Sequence, residues 1–460
     1  MKKNQTFTVT IENGTVEGYG VCRAEDRAVF VAGALPGEVW EILILKVTSS
    51  AVWAKGLHCL IASPERCPND CPNPCGGCTL RHADYAAELK IKQAHVEDCL
   101  RRIGKLESVS VPIHPSPEAF RYRNKAVFAV GQGDGKAVFG FYRPRSHDIV
   151  AITDCLLQSR LSISAAGAVV RFLNEQGIPP YQEETGKGTV RHIFFRQSRR
   201  GDAVLCIVSA KGFGSRTRDL TDFLRRTCPE LTGIVLNINK TAGNTVLAGD
   251  FYTLWGEPNV TETFCGHSFE ISPQAFLQVN PPQAEAIYRK AAEYASGLNR
   301  LPGKGEQSER KSGNLALELY CGAGTASLCL SDSFNKVIGA EIVPEAVENA
   351  KQNALRNGVR NVEFLCADAG EIAERFSAEG LRPEAVLVDP PRKGLTEQVI
   401  GCLAGLKPER IVYISCNPAT LARDLQSFSR LGFTADTAEA FDMFPRTGHV
   451  ETVCLLTHKG

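Results

Sequence analysis

Two stretches near the C-terminus place reactive side chains where a strand should end. Ile411-Val412-Tyr413-Ile414-Ser415 reads as a buried strand, and Cys416-Asn417-Pro418 follows directly. A thiol in such a turn is most simply a small buried hydrophobe. Cys416 lies beyond the apolar run rather than within it, which also suits a nucleophile, because the thiolate is the reactive form of cysteine. In Gly448-His449-Val450-Glu451-Thr452-Val453-Cys454 a carboxylate opens another strand. A salt-bridged strand end is the plain reading of Glu451, and a general base is the chemical one. The pair fits a specific reaction. Carbon-5 of uracil is a poor nucleophile, but a thiolate adding to carbon-6 creates an enolate that attacks an electrophilic methyl group. A base must then take the carbon-5 proton so that the thiol can leave.

Such chemistry needs a donor, and a second pattern offers a place for one. Leu315-Ala316-Leu317-Glu318-Leu319 runs into Tyr320-Cys321-Gly322-Ala323-Gly324-Thr325. A strand, a turn with Gly322 and Gly324, and then a helix let the backbone approach a ligand near a helix N-terminus, although many such turns use glycine for packing alone. Glu341 ends the next strand about 20 residues on, where a carboxylate can take a ribose hydroxyl pair. NAD(H) and S-adenosylmethionine both satisfy that pattern. The turn lacks a third glycine and a close phosphate-binding side chain, which favours a ligand without a pyrophosphate. Asp368 either hydrogen-bonds an adenine amine or caps a helix. Asp389 ends a further strand before Pro390-Pro391-Arg392, a stiff turn at the carboxyl edge, where sites in open α/β sheets form.

The third pattern is a run of thiols. Cys67, Cys71, Cys75 and Cys78 follow one another as Cys-x3-Cys-x3-Cys-x2-Cys, with Gly76 and Gly77 allowing the turn. That density points to a metal or a cluster. Four local thiolates suit zinc; three local ones with a distant fourth, such as Cys155, suit a [4Fe–4S] cluster. Spacing alone does not choose between them.

The elements that must position these residues follow from periodicity. The chain has 460 residues, enough for about three domains. Residues 1–62 alternate apolar and polar positions between Gly-rich turns, predicting five short strands in an OB-like β-barrel, either a binding module or a structural cap. Residues 63–265 contain the Pro-interrupted segment 64–79, an amphipathic helix over 85–103, and strand-like runs mixed with helical stretches at 159–175 and 216–226, as in an α+β domain. The stretch 297–314 reads as a solvated loop. Residues 266–460 then alternate strand and helix, predicting an α/β Rossmann-like domain with a parallel, doubly wound sheet.

Composition narrows the rest. Lys plus Arg total 52 against 51 for Asp plus Glu, a formal charge of +1, so any nucleic-acid surface must be local. Hydrophobic residues at 43% and charged residues at 22% exclude a largely disordered chain. The apolar runs are far shorter than the ~20 residues of a membrane span. An odd count of 17 cysteines and an opening Met1-Lys2-Lys3-Asn4-Gln5 without a signal pattern argue against a disulfide framework. A cytoplasmic monomer without membrane association is expected. Arg121, Arg123, Lys125, Arg143, Arg145, Arg196, Arg199 and Arg200 interleave with Phe120, Tyr122, Phe141 and Tyr142, a mixture suited to phosphates and stacked bases. A solvated strand face beside a core aromatic stripe is the plain alternative.

Taken together, these residues resemble the bacterial RNA (uracil-5-)-methyltransferases, most closely the 23S ribosomal RNA branch, and the likeness spans the whole chain. Gly18-Tyr19-Gly20 and Gly33-Ala34-Leu35-Pro36-Gly37-Glu38 look like that branch's TRAM domain, an OB-type RNA-binding barrel. Cys75-Gly76-Gly77-Cys78 with an upstream cysteine looks like its iron–sulfur motif, and Ser146-His147-Asp148 to Cys155 like the stretch carrying the fourth ligand. The resemblance implies a [4Fe–4S] cluster on Cys71, Cys75, Cys78 and Cys155. The gap between the first two ligands is shorter here than is usual in the family and Cys67 is extra, but Asp70-Cys71-Pro72 resembles family text and favours Cys71. Phe120-Arg121-Tyr122-Arg123-Asn124-Lys125, Arg191-His192-Ile193 and the segment Ser272 to Asn280 are similar to family text as well. Gln278 then matches a cofactor-contacting glutamine, Tyr320, Glu341 and Asp389 further S-adenosylmethionine contacts, Cys416 the nucleophile and Glu451 the base. A stacked uracil in folded RNA would have to be flipped out to reach Cys416.

Two rivals are left. An amino-group methyltransferase with an Asn/Asp-Pro-Pro-aromatic motif would need an aromatic where Arg392 stands, and leaves Cys416 without a role. A non-catalytic RNA-binding protein with a structural zinc would tolerate Cys416→Ala. Within the family, transfer RNA is the alternative substrate; its branch generally lacks both the barrel and the cysteine motif, which favours ribosomal RNA.

Overall fold

A computed structural model of the chain describes residues 1–68, 71, 73–107, 110–241, 243, 245–297 and 313–458. Asp70 and Pro72 of the cysteine segment, and residues 298–312 of the expected loop at 297–314, lie outside them.

The five expected N-terminal strands are present, and a sixth joins them. Six strands form a sheet in the order Thr6–Thr10, Val39–Val47, Ala51–Ile61, Arg27–Ala32, Tyr19–Ala24, Asn13–Gly14. The short Asn13–Gly14 strand was not anticipated. It continues the first strand around a bend, so residues 6–10 pair with one end of the sheet and residues 13–14 with the other. Ile11, Cys22, Val29, Val31, Ile42, Ile44 and Val52 fill the interior, the inward half of each alternation.

The central region is a sheet of seven strands, ordered Ile149–Ala151, Lys136–Tyr142, Lys125–Gly133, Val190–Gln197, Ala203–Ser209, Gly233–Ile238, Asp250–Gly256. Helices Arg160–Glu175 and Thr217–Thr227 cover one face, packing Val169, Leu173, Leu220 and Leu224 on Phe128, Ile193, Phe195 and Leu205. The other face, with Phe194, Val204, Cys206 and Val208, meets the hairpin Val260–Phe264/His267–Ile271 and helix Pro281–Ser296. One continuous core therefore joins this sheet to the next.

The C-terminal sheet has the order Val362–Cys366, Phe334–Glu341, Gly313–Leu319, Ala385–Val388, Arg410–Ser415, Glu451–His458, Phe433–Phe441, with Ile113–His114 added at the edge. The first five strands are parallel. Their near-continuous apolar runs are what a sheet buried on both faces requires. The order turns back between Gly313–Leu319 and Ala385–Val388, which is where open α/β sheets leave a ligand crevice at the carboxyl ends. The last strand of the chain inserts antiparallel between the fifth and the sixth. Among the described residues no helix is long and apolar enough to cross a membrane.

Candidate active site

The inserted strand brings a carboxylate to the thiol. Ser415 lies opposite Thr452 across the antiparallel pair, and one step beyond on either strand come Cys416 and Glu451. Cys416 occupies the turn into helix Pro418–Arg430, whose N-cap is Asn417. Ser415 Oγ accepts the Asn417 N–H at 3.1 Å, and Asn417 Nδ2 donates to the Arg392 carbonyl at 3.2 Å, so the thiol's backbone is fixed from both sides. Glu451 is 3% exposed. Its carboxylate makes no hydrogen bond or ion pair among the described residues, and burial, then the Asp389 carboxylate, push it well above its ordinary range while Arg392 opposes them. Burial, Glu451 and Asp389 likewise raise the Cys416 thiol, again against Arg392. The two groups are thus close enough to sense each other, and Arg392 is the cation that favours their charged forms.

Around them lie further buried ionisable groups. Burial pushes Asp389 up to about 7. Glu318, on the first parallel strand, is pushed up to about 8 by burial and then by Asp389 and Glu341, against a hydrogen bond from Ser327. The Tyr288 phenol is held protonated by burial and by Asp389. Neither Glu318 nor Tyr288 was singled out from the sequence. Glu318 did carry a signal, a lone charge inside an apolar strand; Tyr288, in an ordinary amphipathic helix, carried none.

The glycine turn divides its work. Gly324 is in the left-handed region at φ 78°, and a Cβ there would stand 2.6 Å from the Phe364 ring, so this glycine serves strand–helix packing. Gly322, at φ 51°, has nothing within 4 Å of a Cβ position. Its N–H donates to Glu341 Oε2 at 3.1 Å, while Glu341 Oε1 accepts from Val343 N–H at 3.0 Å. The open cradle and the aimed carboxylate fit a nucleoside cofactor at the crevice. Tyr320 holds a left-handed φ of 65°, a strained conformation for a bulky residue and common at ligand sites. Asp368 Oδ1 accepts the Gly370 N–H at 2.8 Å and caps helix Ala369–Ala378, which makes the capping alternative real without using the whole carboxylate.

Gln278 belongs to a loop hung from the central sheet. Asn124 Nδ2 donates to the Gln278 carbonyl at 3.1 Å, and Arg196 donates to the carbonyls of Ser272 at 2.9 Å and Ala275 at 2.8 Å. Arg196 therefore does not belong to an RNA surface; it is buried, and burial alone lowers its guanidinium to about 10. Arg121 pairs with Asp154 at 2.6 Å, Arg199 pairs with Glu262 at 2.9 Å and Glu285 at 2.8 Å, and Tyr122 is buried with its hydroxyl on the Pro445 carbonyl. These four correct the expected basic and aromatic cluster, because alternation along a strand cannot distinguish a cation facing water from one locking a loop. Arg143, Arg145 and Arg200 are exposed, and Arg123 and Lys125 half-buried.

At the cysteine segment, the Cys78 thiol is raised to about 12 by burial, then by Cys155, Cys75 and Cys71. Cys155 is raised by burial and senses Cys75. Asn73 Nδ2 donates to the Asp154 carbonyl at 3.1 Å, and Gly76 lies so close to Pro144 that a Cβ would meet it at 2.3 Å. The segment is thus docked on the stretch that carries Cys155. Among the described residues, however, no three His, Cys, Asp or Glu side chains are arranged to hold a metal ion.

Several known proteins are similar to this chain. A family model described as tRNA (uracil-5-)-methyltransferase matches residues 304–459. An uncharacterized RNA methyltransferase of Halalkalibacterium halodurans is 37% identical over 463 residues, covering 100% of this chain and 98% of that protein. One from Clostridium acetobutylicum is 37% identical, covering 99% and 98%. The crystal structure of Pyrococcus abyssi tRNA (uracil-54, C5)-methyltransferase in complex with S-adenosyl-L-homocysteine superposes with a TM-score of 0.77 at 26% identity, covering 98% of this chain and 100% of that one. With a doubly wound sheet, a nucleoside crevice and relatives matched from end to end, the chain belongs to the RNA (uracil-5-)-methyltransferase family and is an S-adenosylmethionine-dependent RNA methyltransferase of the uracil-5 type.

Proposed function

We propose that the enzyme methylates carbon-5 of a specific uridine in 23S ribosomal RNA, with Cys416 as nucleophile and Glu451 as base. The observation that carries this reading is the Ser415–Thr452 pairing, which leaves the thiol and the carboxylate side by side at the carboxyl edge of the sheet. The Cys416 thiolate adds to uracil carbon-6, pushing electrons to carbon-5. S-adenosylmethionine supplies the electrophilic methyl group when bound. Carbon-5 then carries both methyl and proton; Glu451 takes that proton, the carbon-5–carbon-6 double bond re-forms, and the carbon-6–sulfur bond breaks to return the thiolate. Arg392 favours the ionised forms of both groups, and burial strengthens every charge interaction among them.

Cofactor contacts fall to Gln278, Tyr320, Gly322, Glu341, Asp368 and Asp389, with Glu341 on the ribose hydroxyls and the free oxygen of Asp368 on the adenine amine; Gly324, expected among them, packs the turn against Phe364 instead. Phe276, 73% exposed beside Gln278, offers a face on which a base can stack. Residues 1–62 act as an OB-like, TRAM-type RNA-binding barrel, 63–265 as a central RNA-binding domain and 266–460 as the methyltransferase domain. For a [4Fe–4S] cluster, Cys71, Cys75, Cys78 and Cys155 would be the donor set: Cys78 senses the other three and Cys155 senses Cys75. It would staple segment 64–79, and no step of methyl transfer needs it.

Transfer RNA is the second reading. The Pyrococcus enzyme that aligns with this chain over 98% of its length acts on transfer RNA by its name, so the N-terminal sheet and the cysteine segment do not by themselves select ribosomal RNA. Labelled S-adenosylmethionine offered with unmodified 23S and transfer RNA transcripts, followed by nucleoside analysis, tests the proposal. 5-Methyluridine in the ribosomal transcript is the expected result; label only in transfer RNA keeps the chemistry and changes the substrate. Iron in anaerobically purified protein, with a visible absorption band, is expected, and neither being present rules out the cluster.

A further inference from the structure

Lys92 lies on helix Tyr85–Arg102, its side chain 0% exposed, and no step above uses it. Its ammonium spends all its donors on one loop and that loop's anchor: Glu88 Oε1 at 2.7 Å, Asp442 Oδ1 at 2.6 Å and the Phe444 carbonyl at 3.1 Å. Asp442 Oδ2 accepts from the Tyr85 hydroxyl at 2.8 Å, whose oxygen accepts the Ser116 N–H at 2.8 Å. Glu88 Oε1 also accepts the Arg446 N–H at 2.6 Å. From Phe444 the chain of contacts runs on toward the site. The Phe444 carbonyl accepts from Thr447 Oγ1 at 2.8 Å, that hydroxyl accepts the His449 N–H at 3.3 Å, and the Phe444 and His449 rings meet edge to face at 5.7 Å. Glu451 is two residues further along the chain.

Burying an ammonium and two carboxylates is a costly way to hold a loop, since apolar side chains of similar volume often give equal stability. What the charges supply is one geometry. Cys416 is set by different contacts, those of Ser415, Asn417 and the Arg392 carbonyl. We propose that Lys92, with Glu88 and Asp442, is a positioning residue for the general base: it fixes residues 442–450 so that Glu451 is aimed at carbon-5, without setting the nucleophile. The inference rests on the assignment of Glu451 as base and Cys416 as nucleophile.

Single-turnover reactions with the unmodified RNA transcript that the wild type methylates, quenched in denaturant, separate the two steps as covalent protein–RNA adduct and released 5-methyluridine. In Lys92→Met, adduct should form at close to the wild-type rate, while its breakdown slows by about 100-fold, the loss that a misplacement near 1 Å can cause. Lys92→Arg should recover part of the rate. Tyr85→Phe removes only one hydroxyl, leaves the charges in place, and should shift breakdown in the same direction by less, deciding the matter where Lys92→Met does not fold. If formation and breakdown fall together in folded variants, or breakdown is unchanged, the proposal is overturned while the base assignment stands. A wild type that forms no adduct removes that assignment and the proposal with it.

Discussion

The molecule buries two groups of carboxylates and treats them in opposite ways. Glu88 and Asp442 are sealed between helix Tyr85–Arg102 and the loop at 442–450, where Lys92 donates to both and Tyr85 to Asp442 at 2.6–2.8 Å, and Arg446 lies 3.5 Å from the second Glu88 oxygen. Glu318, Asp389 and Glu451 crowd the carboxyl edge of the C-terminal sheet with no cation in contact among the described residues, each pushed up by burial, and with Asp389 adding to the rise in the other two. Paired charges in a dry site fix a shape; unpaired ones store free energy that a substrate, a cofactor or a proton can release. On the proposed mechanism the first group is architecture and the second is chemistry, and substitutions should separate them.

The largest effect is expected at Glu451, the proposed base. Glu451→Gln should slow turnover by about 10²–10⁴-fold, the usual contribution of general base catalysis, without lowering the melting temperature, because it removes an unpaired buried acid. Steady-state methylation and thermal melts on one preparation check both halves. The paired group should behave in reverse: Lys92→Met takes the ammonium from two buried carboxylates, leaving Arg446 at 3.5 Å from Glu88 and the Tyr85 hydroxyl on Asp442, and should cost about 3–5 kcal/mol in urea unfolding. A loss below about 1 kcal/mol would erase the contrast between the regions.

A pH series sharpens it further. The Cys416 thiol is held above its ordinary value by burial and by Glu451 and Asp389, so the thiolate fraction, and with it the rate of adduct formation, should climb about tenfold per pH unit through the neutral range. A flat profile would mean a thiol already ionised. The smallest effect is at Asp389, whose folded carboxyl is pushed from 3.8 to about 7. A raised carboxyl favours the fold below its unfolded value, and that contribution is lost as pH rises through the folded one. Asp389→Asn should therefore be more stable than wild type at pH near 8, by about 1 kcal/mol, with the difference closing towards pH near 4 in matched melts.

Much of this arrangement was legible in the residues. The parallel strands stood out because a strand buried on both faces must be apolar throughout, as Ala385–Val388 and Arg410–Ser415 are. Cys416, Glu341 and Asp389 could be placed at one edge because each follows such a run. Phe433–Phe441, with Thr434, Asp436, Thr437 and Glu439, has no such pattern and went unread, as did the hairpin at 260–271. The insertion that seats Glu451 beside Cys416 is a matter of topology, which no local window carries. The charged network around Lys92 was hidden for a related reason: Lys, Glu and Gln on an amphipathic helix read as its solvent face, and only a partner some 350 residues away turns that face inward.

The central claim is that one thiol forms a bond to the substrate and one carboxylate lets it go. The most direct measurement is to incubate wild type, Cys416→Ala and Glu451→Gln with S-adenosylmethionine and unmodified ribosomal or transfer RNA, then resolve protein from RNA under denaturing conditions and analyse the nucleosides. The account predicts 5-methyluridine from wild type, no product and no adduct from Cys416→Ala, and an accumulating covalent protein–RNA species from Glu451→Gln. Methylation by Cys416→Ala, or a Glu451→Gln variant that turns over without trapping RNA, would contradict it.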